Sequence, residues 1–471
     1  MLSEKKTIFF IFFCAVAIRF LYVYFLSGFN SLPGMDEVFY QKVANNIVDG
    51  LGFVVKEGIP TTKKPPVYPY FMASIFSLFG KGNFLALRTA QILLGGICTI
   101  LIYFIAKRLT NDKTALIASI LTAFDPFLIY ISSWVLAHIL VYLFISLAVF
   151  FCLRTVEEPS LPNQILSGVF FGLTGLSMGY NTFLFYPYLF IWGLIIFWSN
   201  PVNKSASFCS ESIPLIKSNE FSNGANGKNA LKISTIVLLA ATLTISIWTI
   251  RNYFAYNKFI PIVTNGGYRF RGSNNSRANG LWAPSSGSPR FYFSDAGRGW
   301  GDSPDWETWA GEADYLWLDL LFSEKKDYND YEINLLNYKA GWNWIRNNPA
   351  DWLKLLPKKF YHFWEPLNPR STFPQMSKNE RLMAISFYCF VFPLFIFGIY
   401  LSITSWQKYL IIYLIILHSI IGALIYYGDA QQRMIITPFL SIFAAISLSK
   451  FGELWNKNYL QYLIKRTAHE K

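Results

Sequence analysis

The 471 residues are 53% hydrophobic and 18% aromatic, and only 15% are charged, a balance that excludes an ordinary soluble globular protein and places the chain in a bilayer. The net charge of +13 would suggest nucleic acid in another chain. Here the basic residues sit mostly in short loops beside apolar segments, so membrane topology and contact with membrane lipids account for them and no nucleic-acid partner is expected. Four of the five cysteines (Cys14, Cys98, Cys152, Cys389) lie in apolar segments and Cys209 in a polar loop, which offers no disulfide framework.

Residues 7–28 form the first apolar segment, after Lys5 and Lys6. They continue far enough past Arg19 to be retained rather than cleaved as a signal, although Ala15-Val16-Ala17 resembles a cleavage site. Arg19 is expected to snorkel, with a functional cation as the alternative. The stretch Gly34 to Tyr70 follows. Asp36 and Glu37 open an amphipathic helix whose apolar stripe is Phe39, Val43 and Ile47, with Tyr40 one turn beyond Asp36 on a neighbouring face. Gly50 and Gly52 end it, and Lys63 and Lys64 precede a second apolar piece, 65–80. That piece reaches only about 24 Å, short of the roughly 30 Å hydrocarbon core. With three prolines, it is expected to lie flat in the interface.

Crossings are then expected at 84–106, 113–131, 134–153, 164–180, 182–198, 232–250, 382–403, 408–427 and 433–449, because this register delivers Lys107, Arg108 and Lys113 to the cytoplasm. The polar, Ser/Asn/Gly-rich stretch 199–231 reads as a cytoplasmic loop. The fold class is an all-α polytopic membrane protein with about ten transmembrane helices, juxtamembrane interfacial helices and one mixed extracytoplasmic loop domain. Residues 1–252 are expected to form an N-terminal membrane domain carrying the first outer loop (29–80), 253–381 the extracytoplasmic domain, and 382–471 the last membrane helices and a basic tail. Within 253–381, Asn347-Asn348-Pro349, an N-cap followed by proline at the first turn, marks the start of a helix expected on the membrane surface. The tryptophans of that loop read as interface anchors and core, with a sugar-stacking platform as the alternative.

Asp36 is either a helix cap or a functional carboxylate. The functional reading gains from the cations expected on the same membrane face, Lys64, Arg88, Arg251 and Arg433, which together would make an anion site. Asp429 and Arg433 occupy a tight turn, either a solvated ion pair or part of that site. His138, near Trp134, is either a core histidine or a base. Four scattered histidines give no metal-ligand spacing.

These residues resemble a family. Asp36, Glu37 and Tyr40, then Lys64-Pro65-Pro66-Val67-Tyr68-Pro69, then Arg88 at a span start, look like the polyprenyl-phosphate-dependent glycosyltransferases of the C-type fold, which include protein O-mannosyltransferases and lipid A aminoarabinose transferases. Asp125-Pro126-Phe127, 251–268, 348–364 and 427–440 extend the likeness to its bacterial branch. The resemblance implies inverting transfer of one sugar from a polyprenyl-phosphate carrier to a glycolipid, polysaccharide or protein acceptor, at the periplasmic face of a bacterial inner membrane. It carries over Asp36 as catalytic carboxylate, with Glu37 beside it, and Lys64 as a ligand of the donor phosphate. Tyr40, Lys63, Tyr68, Arg88, His138, Arg251, Asp429 and Arg433 complete the expected substrate site. No cofactor is required, though the two acids leave room for a divalent cation. One departure stands out: His138 occupies a place where relatives often carry an acid. The competing readings are a transporter or flippase of lipid-linked sugars and a polysaccharide polymerase. The absence of internal repeats disfavours the transporter.

Overall fold

The computed structural model of the protein describes residues 4–29, 35–179, 185–198, 226–276, 278–281, 330–366 and 377–469. The expected tryptophans at 282, 300, 306, 309 and 317 and most of the expected loop 199–231 lie outside them. Among the described residues, five helical stretches are long and apolar enough to cross a membrane: Glu4–Ser27, Phe84–Leu109, His138–Glu157, Ala230–Tyr256 and Lys378–Ile425. The last is two helices, Lys378–Ser402 and Trp406–Ile425, joined by a 3-10 turn at Ile403–Ser405. The other segments expected to cross lie outside those five but are largely helical, as Asp112–Phe124, Leu161–Met178, Phe185–Trp198 and Thr437–His469.

Close approach of the helices rests on small residues. Leu161–Met178 packs along Asn226–Tyr256, and a Cβ at Gly168 would collide with the Val237 carbonyl and one at Gly172 with Thr244. This is the glycine-every-fourth spacing that lets membrane helices touch backbone to backbone. A second apolar core joins Tyr40, Tyr68, Met72, Phe76, Leu87, Leu128 and Val135. It is the floor on which the first outer loop rests.

That loop forms α1 of the site region, Met35–Val48, and α2, Val67–Phe79. Gly50 and Gly52 have φ of +77° and +83°, the left-handed backbone that ends α1 as expected. Between the helices runs a small antiparallel hairpin, β1 (Val54–Lys56) with β2 (Ile59–Pro60), a minor addition to a largely helical chain. At 13 residues α2 has the short length expected of 65–80.

The largest correction falls at 113–131. The helix stops at Phe124 and a new one, Pro126–Ile131, begins. Pro126 has no N–H and pushes Asp125 out of helical backbone. The Asp125 carboxylate then caps the new helix, accepting from the Phe127 and Leu128 amides at 2.9 and 3.3 Å. The chain turns through 132–137 before His138–Glu157 starts, four residues later than the expected 134.

Arg19 does not snorkel. It is buried at 2% exposure and donates to the carbonyls of Ala15, Ala123 and Thr122 at 2.9, 3.4 and 3.5 Å. It thus satisfies the carbonyls that the broken helix leaves at its C-terminus. Gly95 gives it room, since a Cβ there would sit 2.7 Å from Arg19 Nε.

Candidate active site

The turn at 132–135 is where the predicted residues meet. Glu37, in the first turn of α1, accepts the Val135 amide on Oε1 at 2.8 Å. Arg88, one turn into the helix Phe84–Leu109, donates from Nε to the Ser133 carbonyl at 3.0 Å and from Nη1 to the Phe29 carbonyl. Gln91, on the next turn of that helix, donates from Nε2 to the carbonyls of Ser132 (3.2 Å) and Trp134 (2.7 Å). Its Oε1 accepts the buried Tyr68 hydroxyl at 2.5 Å.

Tyr68 in turn holds the lysine side of the site. Its ring meets Tyr40 edge-on with centroids 5.0 Å apart, and Lys64 Nζ sits 5.7 Å from the centre of the Tyr40 ring, a cation–π distance. Burial and the nearby Glu37 carboxylate push the Tyr68 phenol well above its ordinary range, so it stays a neutral hydrogen-bond donor. The structure therefore gathers Glu37, Tyr40, Lys64, Tyr68 and Arg88 around one turn. Asp36 is the second residue of α1, inside the first turn rather than at its cap, where the helix dipole still favours an anion. Its side chain lies outside the described residues. His138 stands at the start of its helix with its ring 5.9 Å from that of Trp134, at the edge of the same turn.

Three expected site cations have structural work. Arg251 donates to the carbonyls of Thr61 (3.0 Å) and Phe53 (2.7 Å) and packs on Trp248 with its guanidinium 4.7 Å from the ring centre, so it clamps the base of the hairpin. Arg433 donates to the carbonyls of Phe363 (2.5 Å), Glu365 (2.9 Å) and Pro366 (3.2 Å) and lies 4.2 Å over Tyr388. It closes the C-terminal end of the helix Pro349–Trp364. The turn holding Asp429 and Arg433 is buried, each residue being 4% exposed, which removes the solvated-turn alternative. Lys63 pairs with Asp330 at 3.2 Å. A cavity of about 30 Å³ between Asp125, Tyr388, Arg433 and Thr437 has room for a water, not for a sugar or a prenyl chain.

Among the described residues no three His, Cys, Asp or Glu side chains come together as a metal site. The residues that the sequence reading missed are Gln91, the carbonyls of 132–134 and Asp330. Gln91 carried a signal, a carboxamide inside an apolar helical run, where a polar group must find partners.

Residues 63–210 match the family dolichyl-phosphate-mannose-protein mannosyltransferase, a segment holding Lys63, Lys64, Tyr68, Arg88, the 132–135 turn and His138. No curated protein matches the chain. The oligosaccharyltransferase of Archaeoglobus fulgidus in its apo form aligns over 98% of this chain and 52% of its own, at 14% identity and a TM-score of 0.53. The same archaeal enzyme, AglB, in complex with an inhibitory peptide and a dolichol-phosphate, aligns over 98% and 52% at 13% identity and a TM-score of 0.52. The present chain thus spans about half the length of that protein. ArnT from Cupriavidus metallidurans bound to undecaprenyl phosphate aligns over 95% of this chain and 79% of its own, at 12% identity and a TM-score of 0.42. The chain shares the fold of the archaeal oligosaccharyltransferase over nearly its whole length, and its residues 63–210 match the dolichyl-phosphate-mannose-protein mannosyltransferase family model.

Proposed function

We propose that this chain is a membrane glycosyltransferase that moves one sugar from a polyprenyl-phosphate carrier to an acceptor outside the cytoplasm. The observation that carries the reading is the convergence of Glu37 and Arg88 on one turn, the carboxylate at the Val135 amide and the guanidinium at the Ser133 carbonyl. Lys64 stands on Tyr40, one helical turn from Asp36. Acid and base so placed serve the two charges of the reaction. As the bond from the anomeric carbon to the phosphate oxygen breaks, negative charge grows on the leaving phosphate, and Lys64 with Arg88 offsets it by charge-assisted hydrogen bonds. The acceptor hydroxyl or amine loses its proton to Asp36 as it attacks from the opposite side. One displacement inverts the anomeric configuration and leaves undecaprenyl- or dolichyl-type phosphate as product. Glu37, fixed by Val135, holds the first turn of α1 and orients its neighbour.

The family match over 63–210 supports a single-sugar donor, and the archaeal enzyme's complex with dolichol-phosphate supports a lipid phosphate in a site of this fold. About ten crossings, a bacterial inner-membrane location and a periplasmic active site belong to the same proposal. The test uses purified protein in nanodiscs with undecaprenyl-phosphate-linked hexose and pentose probes, scored by release of undecaprenyl phosphate and by the mass of the group transferred. The parent releases it and Asp36→Asn slows release by about a hundredfold or more. Equal release from both proteins overturns the assignment, and transfer of a whole oligosaccharide instead of one sugar makes the chain a polymerase.

A further inference from the structure

We infer that Gln91 is the positioning residue that sets the distance between the acid side and the cation side of the site, an inference that rests on the function proposed above. Gln91 is fully buried and its carboxamide is used at both ends. Nε2 spans the Ser132 and Trp134 carbonyls, which bracket the Ser133 carbonyl held by Arg88 and precede the Val135 amide held by Glu37. Oε1 takes the hydroxyl of Tyr68, whose ring supports Tyr40 and through it Lys64. Four consecutive residues of one turn therefore read out to Gln91, Arg88, Gln91 and Glu37 in order, and one amide joins that turn to the tyrosine pair.

The chemistry needs this particular side chain. Only a carboxamide donates two hydrogens on one atom and accepts on the other without carrying charge. An aliphatic residue of the same size leaves two carbonyls and a phenol unsatisfied in an apolar core. A carboxylate accepts from Tyr68 but faces two carbonyl oxygens with nothing to donate, unless it is protonated. In reaction terms, Gln91 touches no reacting atom. It acts through Glu37, Arg88 and Tyr68, so its loss moves the catalytic groups relative to one another and lowers turnover more than donor binding, because ångström-scale misplacement is felt in the transition state.

The test measures kcat and donor KM for the parent, Asp36→Asn, Gln91→Leu, Gln91→Glu and Tyr68→Phe in nanodiscs, using the same undecaprenyl-phosphate-linked probes. Only monodisperse protein of measured melting temperature is assayed. The expected result is a fall in kcat of about tenfold or more in Gln91→Leu with donor KM within about threefold, and a smaller fall of the same kind in Tyr68→Phe. Gln91→Glu is expected to gain a pH dependence absent from the parent, active at acidic pH, where the buried acid is protonated and donates to Trp134, and losing rate as pH rises. Two results overturn the positioning role: kcat within twofold of the parent in both Gln91 variants, or kcat, KM and melting temperature falling together with no new pH dependence in Gln91→Glu. If Gln91→Leu does not fold, the Gln91→Glu pH profile and Tyr68→Phe decide. Failure of the function itself is recognised separately, since the parent and Asp36→Asn then release phosphate equally.

Discussion

Lys63 Nζ lies 3.2 Å from Asp330 Oδ1, and this pair joins the first outer loop to the start of the helix Asp330–Asn347, more than 260 residues away in sequence. Its neighbour Lys64 turns instead to Tyr40. Two adjacent lysines of the same charge thus have different partners.

The difference sets the first prediction. Lys63 already faces a carboxylate, and a part-exposed ion pair contributes only about 0–1 kcal/mol. Lys64→Ala is expected to raise donor KM about tenfold, whereas Lys63→Ala changes it by no more than about threefold. Titration of undecaprenyl phosphate onto the two purified variants checks this, and equal losses would show that the two lysines act as one cationic patch.

Arg251 and Arg433 are expected to matter for stability rather than donor binding. Each guanidinium satisfies backbone carbonyls from two directions at once, a geometry that a lysine ammonium does not reproduce. Arg433→Lys, buried at the end of the helix Pro349–Trp364, should destabilise by about 2–3 kcal/mol and leave donor affinity within about threefold. Thermal unfolding in detergent measures the first part. An unchanged melting temperature with lost donor binding would return Arg433 to the anion site.

Stability should also depend on pH through Lys359, which lies on the helix Pro349–Trp364. Its ammonium is fully buried and donates to Asn274 Oδ1 at 2.8 Å and to the carbonyls of Leu424 and Ile425 at 3.1 and 3.4 Å. Burial pushes its pKa down to about 7. The unfolded lysine keeps its proton to about pH 10.4, so between these values the unfolded state binds more protons and stability rises with pH. The penalty is fully present below pH 7 and relieved toward pH 10. The expected gain across that window is on the order of 4 kcal/mol, and Lys359→Met should flatten the slope. Melting temperatures at pH 6.5, 8 and 9.5 for both proteins decide it, and parallel slopes would remove Lys359 as the cause.

Topology gives the fourth prediction. Lys107 pairs with Glu4 and Asp112 at 2.8 and 3.1 Å, which puts residue 4 and the 107–113 turn at one face, expected to be the cytoplasmic one by the positive-inside rule. A cysteine at Lys113, in a background whose own cysteines are replaced, should resist an impermeant maleimide in whole cells and react in opened membranes. Labelling from outside reverses the register.

The ends of the elements were written locally. Gly50 and Gly52 stop the first outer helix because their backbone must turn left-handed, and Pro349 starts another. Asn348 differs from expectation only in its side chain, which bonds back to Trp344 at 3.0 Å instead of capping forward. The apolar runs likewise identified the long helices, since burial in lipid demands continuous hydrophobicity. The acid pair, the Lys64–Pro69 element and Arg88 were legible as candidates because a charged group beside an apolar span needs a reason.

What the sequence left open was which cations converge. Arg251 and Arg433 look like Arg88 in the linear chain, each a cation at the end of an apolar run, and only the fold decides that the first two hold carbonyls of the hairpin and of a distant helix end while Arg88 holds the Ser133 carbonyl, in the turn that Glu37 also reaches. The break at Asp125-Pro126 was readable as a local stop, yet the turn it produces became the centre of the site only through contacts with residues about 40 to 100 positions away. Arg19 shows the same limit. Local chemistry says that a buried guanidinium must be satisfied, while the carbonyls that satisfy it are freed by a helix ending more than 100 residues later. Hydropathy and backbone preference depend on neighbours a few residues apart, so the sequence determined the elements. Hydrogen-bond partners of buried polar groups depend on which elements meet, so the tertiary structure alone decided the site.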